Sequence, residues 1–251
     1  MTTSVTSPAA QAVGAGSLTQ QWARFFSYLR RPMLPQKATG FGTAPLVAIG
    51  RLFALDVLMT LGVLGFFYLL TVLGIEAPDN ALGDLDLTLE VVLMIVVAAP
   101  LAEETIFRGW LSGRPGHVFA LLLLLLGGIG SGFLAGMGMS PVLGGAIGVG
   151  IAVILAILAT WYWRNSGPWR WFAKLFPVLL PLSALLFASV HILNYEGEMS
   201  ALLIVFVIPQ FLAGLIFGYA RVNYGIWSSM LLHFMHNGTA VAAIMLFSDL
   251  A

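Results

Sequence analysis

Apolar residues run along this chain in long blocks, and short polar segments divide the blocks. Each block holds about 20 residues, enough for a helix rising 1.5 Å per residue to cover a hydrocarbon core of about 30 Å. Seven such spans are expected, at 46–74, 88–112, 117–137, 141–163, 175–195, 199–220 and 225–247. Ahead of them, residues 1–17 are small and polar and are expected to lack fixed structure. Residues 18–35 interleave Trp22, Phe25, Phe26, Tyr28 and Leu29 with Arg24, Arg30 and Arg31. That pattern fits an interfacial helix on an anionic membrane surface, or else a basic juxtamembrane linker. The expected fold is all-α, a polytopic transmembrane helix bundle of about seven spans with a conical or bundle-interior polar cavity. Residues 1–44 form the N-terminal region and 45–251 the membrane domain.

The connecting segments suggest an orientation. Arg24, Arg30, Arg31 and Lys37 precede the first span, while Glu76, Asp79, Asp84 and Asp86 follow it with no basic residue. Arg108 and Arg114 end the second span, Arg164, Arg170 and Lys174 follow the fourth, and Arg221 ends the sixth. Glu196 and Glu198 follow the fifth span, and Asp249 the seventh. The positive-inside rule then places the N-terminus in the cytoplasm and the C-terminus outside, with the cell membrane as the expected location. The start of the chain lacks a basic region leading into an apolar core, so no cleavable signal peptide is expected. No internal repeat is evident, which argues against a transporter built from inverted halves.

Composition removes whole classes of function. Hydrophobic residues make up 59% of the 251 positions and charged residues 9%, against roughly a quarter charged in soluble domains. The exterior must therefore face lipid. With no cysteine, disulfides, thiol nucleophiles and cysteine-ligated metals are excluded. A net charge of zero argues against nucleic acid as a partner. Glycines concentrate between Gly127 and Gly150, where the pairs Gly132/Gly136 and Gly144/Gly148 suit close helix contacts. The hairpin 117–163 is therefore read as packing structure.

An ionisable group at membrane depth costs about 2.5–3.5 kcal/mol on insertion scales and usually faces the protein interior. In the second span Glu104 and Arg108 are four residues apart and share a helical face, so they can pair. Glu103, about 100° around the helix, points elsewhere and is free to act as a base. His191 in the fifth span follows Phe187 by four residues, and His233 and Asn237 in the seventh share a face, with His236 nearby. Each of these has a plain structural reading: an interfacial charge cluster, a packed histidine, a polar seam between helices. Together they supply a base, a second proton-handling group and donors for an oxyanion, the parts needed to hydrolyse a peptide bond with water.

These residues also resemble a known set. EETIFR at 103–108 resembles the EExxxR motif of the CAAX protease and bacteriocin-processing (CPBP, or Abi) family. FASVH at 187–191 resembles its FxxxH motif, and HFMHN at 233–237 its HxxxN motif; FRGWL and SALLFASVH continue the likeness. The resemblance covers about 90–240, apart from the hairpin 117–163, which looks like an insert between motifs usually carried on neighbouring helices. It implies an all-α intramembrane glutamic protease that uses no cofactor or metal. Glu103 and His191 would activate the water, His233 and Asn237 would stabilise the oxyanion, and Glu104 with Arg108 would support Glu103. The implied partner is a peptide or protein substrate, lipidated in the CAAX case. Two other readings stay open: a zinc-dependent membrane protease, although HExxH is absent, and a non-catalytic scaffold or immunity factor using the same polar pocket.

Overall fold

The computed structural model describes residues 16–75, 78, 85–195 and 201–247. Glu76, Asp79, Asp84, Glu196, Glu198 and Asp249, on which part of the orientation rests, lie outside the described residues, as do residues 1–15.

All the regular elements are helical: α1 (Leu18–Arg30), α2 (Thr43–Val72), α3 (Leu89–Leu93), α4 (Ala99–Glu103), α5 (Pro115–Gly136), α6 (Pro141–Tyr162), α7 (Arg170–Val190), α8 (Ala201–Phe206), α9 (Ile208–Tyr224) and α10 (Ile226–Phe247). Among the described residues five stretches are long and apolar enough to cross a membrane: Thr43–Val72, Pro115–Gly136, Pro141–Tyr162, Arg170–Asn194 and Ile226–Leu246. The other two expected spans are helical but interrupted. Residues 89–112 alternate α-helix with π-helical turns at Met94–Ala98 and Glu104–Arg108 and end in a 3₁₀ turn at Gly109–Ser112. Residues 201–224 break at Val207.

Helix α1 starts with a capping box: the Ser17 hydroxyl accepts from the Gln20 N–H, and the Gln20 side chain accepts from the Ser17 N–H. It is pinned to the bundle. Phe25 is buried edge-to-face on Tyr219 at 5.4 Å, the Trp22 indole donates to Arg51 O at 2.8 Å, and Gln21 donates to the Tyr224 hydroxyl. The basic–aromatic segment is therefore a helix, with its apolar side used by protein contacts.

Helix α9 runs through the middle. From Ile216 to Tyr224 every residue is buried, between α7, α2 and α10. Its neighbours are protein rather than lipid, so it can carry Arg221, Asn223 and two tyrosines. Glycine sets the closeness of α7: a Cβ on Gly214 would lie 3.2 Å from Ala184 Cα, and one on Gly218 2.8 Å from Leu180 Cδ1. A single residue, Gly225, turns α9 into α10 at φ +113°, a conformation that side chains rarely adopt.

The α5–α6 hairpin is peripheral. Only 6% of the most apolar window of α5 and 17% of that of α6 are buried. Its close approach does not use Gly132 or Gly136, around which a Cβ would meet nothing within 4 Å. It uses Gly127 against Gly148, whose added Cβ would lie 2.7 Å from Gly127 O, together with Gly144 against Ser131 and Gly116 against Ala159. Small-residue spacing alone does not say which side of a helix faces its partner, and the expected Gly132/Gly136 contact is corrected on that point. At the base of the hairpin the Trp169 N–H donates to Gly113 O at 2.9 Å, so the two ends of the segment meet.

Candidate functional site

The irregular second stretch positions the acidic residues. In the first π turn the Ala99 N–H reaches back to Met94 O. The next N–H in that i→i−5 series would serve Ile95 O, but it belongs to Pro100, which has none. The Asn237 side-chain amide on α10 fills the vacancy, donating to Ile95 O at 2.8 Å. The second π turn and the 3₁₀ turn after it free further carbonyls. Ser183 of α7 donates to Phe107 O at 2.6 Å, while Arg221 of α9 donates to Arg108 O and Gly109 O at 3.0 and 2.9 Å. Arg221, expected as a cytoplasmic loop charge, is instead buried and holds the backbone beside the site.

Glu104 and Arg108 pair as their spacing predicts, at 2.8 Å with both side chains fully buried. The guanidinium also lies 3.8 Å above the Phe187 ring, a favourable placement for a desolvated cation. Glu103 stays off this pair, but it shares a neighbour with it. His233 lies between the two glutamates, with Nδ1 3.0 Å from Glu104 Oε1 and Nε2 3.4 Å from Glu103 Oε2. The two carboxylates approach opposite edges of one imidazole, so an angular offset along the helix still ends on the same partner. Phe217 stacks on that ring at 4.8 Å and fixes its plane. Glu104 is sealed in, whereas the Glu103 side chain is 28% exposed.

That exposure opens into a cavity of about 340 Å³, lined by Glu103, His191, His233, His236 and Asn237 among others. His191, in the 3₁₀ turn after α7, has its Nδ1 2.7 Å from Phe187 O. Because a carbonyl only accepts, Nδ1 carries the proton and Nε2 is left as an acceptor. The four residues expected to be catalytic thus border one space, contributed by the 89–112 stretch, the turn after α7, and α10. Among the described residues no group of three or more His, Asp or Glu side chains is arranged to hold a metal ion.

Two polar residues at this site escaped the sequence reading. Asp56, buried in the apolar α2, lies 2.7 Å from His236 Nδ1. Gln210 of α9 lines the cavity with a buried, unpartnered Oε1. A carboxylate inside a 30-residue apolar helix was the available signal for Asp56, since such a group requires a partner.

A family model described as Type II CAAX prenyl endopeptidase Rce1-like matches residues 86–239, more than half of the chain. The chain belongs to this family. It is an integral membrane protein of a protease family, and the matched region takes in every motif that carried the resemblance, from Glu103 to Asn237. The Rce1-like match also runs across the α5–α6 hairpin, while α1 and α2, and with them Asp56, lie before its start. Comparison with curated proteins and with solved structures returned no match.

Proposed function

We propose that this protein is a glutamate-dependent intramembrane endopeptidase that cleaves beside a prenylated cysteine near a substrate C-terminus. The observation that carries the reading is Glu103: a half-open carboxylate on the wall of a membrane-embedded cavity, 3.4 Å from His233 and beside His191. A water held between the Glu103 carboxylate and His191 Nε2 loses its proton to Glu103 as its oxygen adds to the scissile carbonyl. The oxyanion that forms takes hydrogen bonds from His233 Nε2–H, whose contact to Glu103 is the looser of its two, and from the second N–H of the Asn237 amide. The first N–H of that amide stays on Ile95 O, so Asn237 is anchored as it donates.

Glu104 and Arg108 act behind the reacting atoms. Glu104 faces the Arg108 guanidinium and both carboxylates face the His233 ring, which lowers the cost of placing these groups in the interior. Glu104 fixes the His233 ring through Nδ1, as buried carboxylates do for histidines in other hydrolases. The reading includes seven crossings, with 89–112 and 201–224 as the two interrupted ones. Irregular backbone at membrane depth is tolerated where protein surrounds it or a cavity adjoins it. It also places the N-terminus in the cytoplasm and treats the 117–163 hairpin as an insert.

The test is reconstitution of the full chain in liposomes with an S-farnesyl-cysteine peptide bearing a three-residue apolar tail. Wild type is expected to release the tripeptide, and Glu103→Ala and His191→Ala are expected to lose that release while remaining folded and inserted. Tripeptide release by Glu103→Ala at the wild-type rate would rule the proposal out.

A further inference from the structure

Asp56 takes no part in the mechanism above, yet it is one of the most thoroughly buried acidic side chains in the protein, midway along α2. Its Oδ2 lies 2.7 Å from Nδ1 of His236, and that imidazole lines the same cavity as Glu103 and His191. An ionised carboxylate only accepts hydrogen bonds, so Nδ1 carries the proton and Nε2 is the nitrogen that can gain or lose one.

The three cavity imidazoles differ in what holds them. His191 donates its Nδ1 proton to a backbone carbonyl and meets no carboxylate. His233 has a carboxylate at each nitrogen. Among the described residues His236 is the one cavity imidazole that pairs a single nitrogen with a carboxylate and leaves the other nitrogen unengaged. Phe217 separates the two α10 histidines, stacked at 4.8 Å on His233 and edge-on to His236 at 5.9 Å, so the two rings act on different parts of the space.

We propose that His236 donates the proton to the departing amine, with Asp56 as the positioning residue that fixes its tautomer and offsets its charge. The inference rests on the proteolytic reading above and adds to it the acid that hydrolysis of an amide requires. As the tetrahedral intermediate collapses, the oxyanion electron pair re-forms the carbonyl and the C–N bond breaks. Its electron pair remains on nitrogen, which takes the Nε2 proton of His236. The proton that Glu103 took from water then passes to His236 through the cavity, and both groups return to their starting states. The sum is an amide plus water giving an acid plus an amine.

The experiment compares two probes with the full-length protein in liposomes: the S-farnesyl-cysteine peptide, and a p-nitrophenyl ester at the same S-farnesyl-cysteine carboxyl. The amine must be protonated as it leaves, whereas nitrophenolate departs without a proton. His236→Gln is expected to lower amide turnover by roughly 10²–10⁴-fold while ester hydrolysis stays within about threefold of wild type. Asp56→Asn is expected to show the same selectivity, Asp56→Glu to recover part of the amide rate, and the Asp56→Asn/His236→Gln double variant to be no worse than either alone. Equal losses on both probes would overturn the inference. So would wild-type amide turnover by the Asp56→Leu/His236→Phe variant, in which a purely structural pair is replaced by packing. Failure of the underlying proteolytic reading looks different, because Glu103→Ala would then hydrolyse both probes.

Discussion

The vacancy at Ile95 O can be tested without any knowledge of substrate. Replacing Asn237 with Leu removes the donor 2.8 Å from that carbonyl and leaves it unpartnered beside Pro100. An unsatisfied buried carbonyl costs about 1–3 kcal/mol in proteins generally. Interhelical hydrogen bonds within membranes average about 0.6 and reach about 1.7 kcal/mol, so a loss of about 1–1.5 kcal/mol is expected. The structure also predicts the rescue. Pro100→Ala supplies the missing N–H: if the π turn persists, residue 100 serves Ile95 O directly, and if it relaxes to α-helix, Ala99 does. In that background Asn237→Leu should cost less than about 0.5 kcal/mol, giving a coupling energy near 1 kcal/mol between residues on different helices. Reversible unfolding in mixed micelles with increasing SDS, read by tryptophan fluorescence, measures all four corners of the cycle. Additivity within about 0.3 kcal/mol would refute the claim that Asn237 completes the backbone that Pro100 leaves short.

Other expectations follow from single contacts. Gly148→Ala drives a methyl to 2.7 Å from Gly127 O, where only backbone can move, and should destabilise the hairpin by about 1–3 kcal/mol. Gly132→Ala, facing open space, should be neutral or slightly stabilising, and a thermal-shift assay in detergent measures both variants. Arg108→Met leaves the Glu104 carboxylate buried without its cation and should cost about 3–5 kcal/mol, whereas Glu104→Gln/Arg108→Met removes both charges and should cost clearly less in the same SDS titration. Chelator treatment of the reconstituted protein should leave tripeptide release unchanged; a loss restored by added zinc would favour the metal-dependent reading.

Much of the site is legible from spacing. Glu104 and Arg108 pair because four residues is close to a helical turn, and that survives the π distortion between them. Membership of the family was carried by three short motifs, whose order needs no geometry to read. Spacing failed where the helix stops being regular. An ideal 100° per residue turns Glu103 away from its neighbour's partner, and it cannot register two π turns or one imidazole wide enough to meet both carboxylates. Arg221 looked like a loop cation because it stands at the end of an apolar run; only the freed carbonyls of Arg108 and Gly109 explain its burial. Asp56 was hidden for the opposite reason: the strength of the surrounding hydrophobic signal in α2 masked one acidic letter. The break at Val207 did have a marker, Pro209, which stands in the first turn of α9 and lacks the N–H that would carry the preceding helix through.

The hydrogen bond from Trp169 to Gly113 has a bearing on the course of the chain. Because the chain leaves the bundle and returns to it at touching points, the intervening pair of helices resembles a pendant hung from a closed clasp. Rejoining the ends through one or two residues would ask of the remaining helices neither a new direction nor a longer reach, though Ser112 would lose His117 as its partner. The polarity of the chain on either side of the clasp would thus be the same with or without the pair.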